Sequence, residues 1–172
     1  GLAILDAGGN ATDAAIATAL ALAVVYPQAG NLGGGGFAIV VSHDPDLTPK
    51  ALDFRETSPL ALTPSDFLNE EGVFESGAYL GSPLVVGVPG TAAGLWALHQ
   101  EGGSLPWAQL VLPAINLAEA GFLVDSHLAR DLRAEGSRMR LEADPVSQAL
   151  FYPGGYPLIE GERLEQPDLA RT

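Results

Sequence analysis

Four consecutive glycines at positions 33–36 connect two strongly apolar segments of this chain. Residues 14–26, which precede them, include only Thr18 as a plainly polar member, and the sequence Asn-Ala-Thr-Asp at 10–13 has the pattern of a helix N-terminus. Residues 37–41, which follow them, form an uninterrupted apolar run that predicts a strand buried on both faces. The sequence therefore predicts a buried helix, a tight glycine connection and a buried strand, in that order.

The glycine run lacks the context of a phosphate-binding loop. Such loops leave a strand and enter a helix, whereas this run leaves a predicted helix and enters a predicted strand, and no Gly-Lys-Ser/Thr follows it. Glycines permit positive φ and close backbone packing, so we predict a steric role, with which a part in shaping a ligand pocket is compatible.

Charge and composition exclude several classes of function. The 172 residues carry 21 acidic and 8 basic side chains, a net charge of −13, so we expect no nucleic-acid partner and no membrane-binding surface. The chain has no cysteine, which excludes disulfides, thiolate zinc sites and thiol nucleophiles. The apolar run at 14–26 is shorter than the roughly 20 residues that span a bilayer. We expect residues 1–172 to form part of one domain with no internal boundary.

The three histidines show no metal-binding pattern. His43, His99 and His127 lie on a predicted turn and two predicted helices, without an HExxH spacing or an i, i+4 pair. No Gly-x-Ser-x-Gly nucleophile elbow is present either. We therefore predict surface or capping roles for the histidines, and no metal or cofactor.

The remaining pattern predicts a mixed α/β chain. Residues 51–55 alternate, with Leu52 and Phe54 on one face and Asp53 and Arg55 on the other, and complete a hairpin with residues 37–41. The other predicted elements are a short helix at 63–68, a loop at 70–81, a strand at 84–88, helices at 92–100, 107–120 and 126–135, short apolar pieces at 144–161 and a helix opened by Pro167.

Arg55 is conspicuous because cations are scarce. Among residues 1–129, Lys50 and Arg55 face 13 carboxylates, and Arg55 lies where a predicted strand gives way to a loop. An arginine there can hold a carboxylate ligand through two parallel hydrogen bonds. An internal salt bridge to Asp53 or Glu56 is the alternative, which composition alone slightly favours.

Six motifs occur in an order and spacing that cover most of the chain: GGNATDAA at 8–15, PQAGNLGGGGF at 27–37, DFRE at 53–56, VPGT at 88–91, LPAI at 112–115 and AGF at 120–122. Together they resemble the large subunit of gamma-glutamyltransferase (gamma-glutamyltranspeptidase). The resemblance implies an α+β fold, part of the four-layer αββα sandwich of the N-terminal-nucleophile hydrolases. It also implies a precursor that cleaves itself into a large and a small subunit, of which residues 1–172 are an incomplete, early large-subunit portion without the first strand.

The resemblance further implies which residues act in catalysis. The nucleophile of this family is the threonine at the N-terminus of the small catalytic subunit, and the α-amino group of that same threonine serves as general base. Thr12, Thr57 and Thr91 are internal, so we expect no catalytic residue in this chain and no activity from it alone. The arginine of the DFRE motif binds the α-carboxylate of the γ-glutamyl group, which makes Arg55 the expected substrate-binding residue.

The function implied is transfer of the γ-glutamyl group of glutathione or a related amide to water, an amino acid or a peptide through an acyl-threonine intermediate. A β-lactam (cephalosporin or glutaryl) acylase of the same superfamily is one alternative, and a non-catalytic scaffold or binding protein is another. The family resemblance suggests a periplasmic, secreted or cell-surface location, about which the chain itself carries no signal.

Overall fold

A computed structural model describes residues 1–42, 44, 46–74 and 82–172. His43 and Pro45 of the predicted turn, and residues 75–81 of the predicted loop, lie outside the described residues. The chain forms two compact units: a helical unit of residues 1–31 and 98–172, and a hairpin unit of residues 32–97. Our expectation that no domain boundary divides the chain stays a prediction.

Eight α-helices and four short strands make up the regular structure of the described residues. The helices are α1 (Leu2–Asp6), α2 (Ala11–Val25), α3 (Thr91–Gly102), α4 (Trp107–Ala120), α5 (Ser126–Arg133), α6 (Glu135–Glu142), α7 (Pro145–Phe151) and α8 (Pro167–Arg171), and the strands are β1 (Phe37–Val40), β2 (Lys50–Asp53), β3 (Phe122–Leu123) and β4 (Arg163–Leu164). Both strand pairs, β1 with β2 and β3 with β4, are antiparallel. In the described part of the chain, none of the helices is both long and apolar enough to cross a membrane.

The helix predicted to begin at the Asn-Ala-Thr-Asp sequence, residues 10–13, is confirmed as α2. Asn10 caps it, and a capping box forms because the Asp13 N–H donates to the Asn10 side chain while the Asn10 N–H donates to the Asp13 carboxylate, both at 3.0 Å. Helix α2 packs on α4 within the helical unit, and Ile16 and Leu110 are among the most buried side chains there. Helix α4 matches its predicted bounds, and Gly121 with φ of 73° ends it.

Asp13 is a charged group that the fold buries completely, with 0% of its surface exposed. Its carboxylate accepts hydrogen bonds from the Ser104 hydroxyl at 2.6 Å, from the Ser104 N–H at 3.0 Å and from the Leu105 N–H at 3.3 Å. Burial by itself raises the pKa of Asp13, but these bonds and that from the Asn10 N–H outweigh it and lower the pKa below its ordinary value. The buried carboxylate thereby ties the first turn of α2 to the loop before α4.

This arrangement predicts an acid-sensitive segment. A carboxyl group whose pKa is lower in the folded state stabilises the fold above its unfolded pKa, about 4, and loses that contribution as the pH falls through the folded value. Hydrogen exchange at residues 103–106, corrected for the intrinsic pH dependence of exchange, should therefore accelerate as the pH falls below about 4. A corrected rate that stays constant down to pH 2 would contradict this role for Asp13.

The C-terminal half of the helical unit differs from the predicted single helix at 126–135. Helix α5 ends at Arg133, Ala134 is extended, and α6 begins at Glu135, so Gly136 does not end a helix. The break separates two helices of different character, because α5 buries Leu128 and Leu132 whereas α6 has no buried residue. A buried cluster beneath α5 includes Tyr152, whose hydroxyl donates to the Leu132 carbonyl at 2.7 Å.

The predicted hairpin is confirmed, but within residues 1–172 strand β1 is exposed and not buried as predicted. Its register pairs Phe37 with Asp53 and Val40 with Lys50. Phe37 and Ile39 are 65% and 75% exposed, because among the described residues β1 pairs with β2 alone and no layer of the hairpin unit covers it.

The predicted strand at 84–88 is also wrong. Pro83–Val85 form a 3₁₀ turn, in which Pro83 opens the turn and the Ser82 hydroxyl accepts a hydrogen bond from the Leu84 N–H at 3.2 Å. Of residues 84–88, all described, Val88 alone pairs, in an isolated bridge to Thr57. The predicted short helix at 63–68 is present as a 3₁₀ helix, Pro64–Phe67, with Thr63 at its N-cap.

Candidate functional site

Arg55 lies at the point where the hairpin ends. The ladder extends one pair beyond β2, since the Phe54 N–H donates to the Gly36 carbonyl at 2.9 Å and the Gly36 N–H donates to the Phe54 carbonyl at 3.4 Å. The next residue, Arg55, leaves the ladder, and its N–H donates to the Asp53 carboxylate at 3.0 Å. Hydrogen bonds at Phe54 and at the Arg55 N–H therefore fix the backbone of Arg55, and its exposed side chain extends from this position.

The internal salt bridge that composition favoured does not form. Within the described parts of the chain, the Arg55 guanidinium has no carboxylate within the 4.0 Å of an ion pair, neither that of Asp53 nor that of Glu56. Asp53 instead accepts from the Arg55 backbone. The guanidinium keeps its planar set of N–H donors available for an anion.

An open cleft of about 480 Å³ lies beside Arg55, within the hairpin unit. A volume of this order accommodates a small molecule. The lining is Arg55, Glu56, Thr57, Ser58, Pro59, Leu62, Phe67, Leu84, Val85, Val86 and Gly87. The arrangement can therefore receive a small ligand that carries a carboxylate at one end.

Close glycine contacts hold the backbone around Arg55. A methyl group on Gly35 would lie 2.5 Å from the Phe54 carbonyl oxygen and 2.8 Å from the Arg55 Cα. One on Gly90 would collide with the same carbonyl oxygen, and one on Gly94 would collide with the Phe54 ring. The close packing predicted for the glycine run is confirmed at Gly35, but none of the glycines at 33–36 has positive φ. Sequence reasoning treated Gly90 only as a strand breaker and missed its contact, for which the spacing of glycines at 87, 90 and 94 is the available signal.

The other described candidates, His99 and His127, do not line the cleft beside Arg55. The His99 ring contacts the Leu105 carbonyl oxygen through Nε2 at 2.8 Å and packs edge-on against Trp107, so it joins the end of α3 to the following loop and does not cap a helix end. His127 is exposed on α5, and His43 lies outside the described residues. No group of three or more His, Asp or Glu side chains is arranged to hold a metal ion in the part of the chain that the structure describes.

Comparison with solved structures gives the class of protein. The chain superposes on the crystal structure of Helicobacter pylori gamma-glutamyltranspeptidase with a TM-score of 0.90 and 40% identity, covering 99% of this chain and 48% of that one. It matches cephalosporin acylase from Bacillus halodurans with a TM-score of 0.78 and 31% identity, covering 99% of this chain and 32% of that one. These matches place the chain with the N-terminal-nucleophile hydrolases.

The sequence gives the family within that class. The profile of the gamma-glutamyltranspeptidase family matches residues 1–172, and the chain belongs to that family. It is 44% identical over 172 residues to the glutathione hydrolase proenzyme of Escherichia coli (strain K12). The match covers 100% of this chain and 29% of that relative. The chain thus spans less than a third of the length of this curated relative.

Proposed function

We propose that residues 1–172 are a large-subunit portion of a self-processing γ-glutamyltransferase or glutathione hydrolase. The enzyme transfers the γ-glutamyl group of glutathione or a related amide to water, an amino acid or a peptide. The observation that carries the proposal is the Arg55 guanidinium beside a cleft, without an ion pair to the described residues, in a chain of this family. A positive group without an internal partner is suited to hold the carboxylate of a ligand.

In this proposal Arg55 recognises substrate and takes no part in bond breaking. Its guanidinium donates two parallel N–H···O bonds to the α-carboxylate of the γ-glutamyl group, and the acyl chain extends along the cleft. A lysine could supply the charge but not the planar pair of donors. The chain thereby fixes one end of the substrate while the reacting amide lies at the other.

The proposed chemistry belongs to a partner subunit cut from the same precursor. The hydroxyl of the threonine that begins that subunit attacks the γ-carbonyl, its proton passes to the free α-amino group, and the amine leaves with that proton. Water or an acceptor amine then releases the γ-glutamyl group from the acyl-threonine. Within the same proposal, the β1–β2 hairpin contributes to one sheet of a four-layer αββα sandwich, whose neighbouring layers cover Phe37 and Ile39.

Self-cleavage of the complete proenzyme that contains this sequence tests the proposal. Mass spectrometry should show one precursor converting into two chains, with hydrolysis of γ-glutamyl-p-nitroanilide appearing in parallel. Residues 1–172 alone should not hydrolyse this substrate, because the nucleophile lies on the other chain. A precursor that stays intact would support the non-catalytic alternative, and turnover by residues 1–172 would show that the nucleophile is misassigned.

A glutaryl or cephalosporin acylase is the second candidate, favoured by the structural match to the Bacillus halodurans acylase. Arg55 suits both functions, because the γ-glutamyl and glutaryl chains both end in a carboxylate. The two acyl groups differ by the α-amino group. A kcat/KM higher for γ-glutamyl-p-nitroanilide than for glutaryl-p-nitroanilide supports the transferase, and the reverse order supports the acylase.

A further inference from the structure

Two glycines pack against the backbone that carries Arg55. We propose that Gly35 and Gly90 are positioning residues that determine where the Arg55 guanidinium meets the substrate carboxylate. This inference rests on the function proposed above, in which Arg55 binds that carboxylate. The two glycines make no substrate contact in this proposal and act through the main chain of Phe54 and Arg55.

Gly35 approaches the main chain of three successive residues. A methyl group there would lie 2.5 Å from the Phe54 carbonyl oxygen, 2.8 Å from the Arg55 Cα and 2.8 Å from the Glu56 nitrogen. Approaches below 3.0 Å require something to shift. All three neighbours are backbone atoms, so no change of rotamer relieves the contact. A side chain at position 35 therefore displaces the Cα from which the Arg55 side chain begins.

Gly90 approaches the same segment from a second stretch of the chain. A methyl group on Gly90 would collide with the Phe54 carbonyl oxygen. The Gly90 and Thr91 N–H groups both donate to the Gly34 carbonyl, at 2.8 and 3.0 Å, and so link the start of α3 to the glycine run. The segment at Phe54 and Arg55 lies against two backbone stretches that are themselves hydrogen-bonded to each other.

This backbone restraint matters because no ion pair with the described part of the chain holds the Arg55 side chain in place. No carboxylate of the described residues therefore aligns the guanidinium before substrate arrives. Misplacement of a binding group by about 1 Å can cost on the order of a hundredfold in rate, and the flexible arginine side chain recovers part of such a shift. We therefore expect a change of about tenfold from a displaced Cα.

The test is Gly35→Ala in the complete, processed enzyme. KM for γ-glutamyl-p-nitroanilide should rise about tenfold while kcat changes by less than about threefold, because the substituted position alters substrate recognition and not the nucleophile. Gly136→Ala is the matched control, since nothing lies within 4 Å of a methyl group at that position on α6. It should leave both constants unchanged.

A double-mutant cycle separates positioning of Arg55 from general disturbance. In an Arg55→Ala background, Gly35→Ala should add no further rise in KM, because residues that act through one another are not additive. An equal rise in both backgrounds, or no rise in the wild-type background, overturns the inference. If Arg55→Ala itself leaves KM unchanged, the proposed role of Arg55 fails instead, which distinguishes the two failures.

Gly36→Ala serves if Gly35→Ala gives no processed enzyme. A methyl group on Gly36 would lie 3.0 and 3.1 Å from outer atoms of the Phe54 ring, which can tilt away. KM should rise by a smaller factor, about threefold, and that rise should again disappear in the Arg55→Ala background. An unchanged KM, or a rise that persists without Arg55, contradicts positioning through this segment.

Discussion

Replacing Arg55 with alanine in the processed enzyme is expected to raise KM for γ-glutamyl-p-nitroanilide by a factor of about 30 to 1,000. The factor corresponds to a loss of about 2 to 4 kcal/mol of charge-assisted hydrogen bonding to the α-carboxylate. The expectation follows from the position of the guanidinium beside the cleft, because no ion pair with a described residue has to be broken before the ligand binds. Steady-state kinetics over a wide range of substrate concentration measure it.

Two further variants identify the source of that loss. Arg55→Lys keeps the charge but loses the paired donors, so its KM should lie between those of the wild type and Arg55→Ala. Arg133→Ala removes an exposed arginine from α5, in the helical unit, and should leave KM unchanged. Wild-type kinetics for Arg55→Ala would refute the assignment of Arg55 to substrate binding.

Replacing Asp13 with alanine is expected to produce the largest loss of stability. The Asp13 carboxylate is fully buried, and its removal leaves the Ser104 hydroxyl and the N–H groups of Ser104 and Leu105 without their acceptor on that buried side, although Ser104 is itself exposed. Buried donors without partners cost about 1 to 3 kcal/mol each, and partial access of water reduces the sum to about 3 kcal/mol. Hydrogen exchange in peptides that cover residues 100–108 should accelerate about a hundredfold at neutral pH.

Asp66→Ala is the matched control for that experiment. The Asp66 carboxylate also accepts from a backbone N–H and a hydroxyl, both of Thr63, at 2.7 and 2.8 Å. Asp66 is exposed, so water replaces the lost acceptor and exchange near residue 63 should change far less. Equal acceleration in the two variants would show that burial of Asp13 adds nothing to the stability of its hydrogen bonds.

Local signals predicted the elements that carry their own start, stop or pairing information. Helix α2 follows from a capping box, α4 ends at a glycine with positive φ, and the hairpin follows from alternation in residues 51–55. Residues 84–88 have high strand propensity but pair only at Val88, because Ser82 and Pro83 start a turn there. Propensity without a partner strand does not determine a strand.

The sequence identified one residue of the candidate site, Arg55, but not the contacts that position it. Scarcity of cations drew attention to Arg55, and the family resemblance, not the composition, favoured a ligand over a salt bridge. The contact of Gly90 with Phe54 joins residues 36 positions apart in the chain, and the spacing of glycines at 87, 90 and 94 signals a close approach without indicating its partner. Contacts of that kind follow only from the three-dimensional packing.

The exposed apolar face of β1 has a practical consequence for anyone who prepares residues 1–172 alone. Phe37 and Ile39 of β1, and Val41 directly after it, are large, strand-forming side chains in contact with water, and the outer edge of β1 has no partner among the described residues. Such an edge is a template for pairing with an identical chain. We therefore expect residues 1–172 alone to self-associate in concentrated samples before the helical unit unfolds.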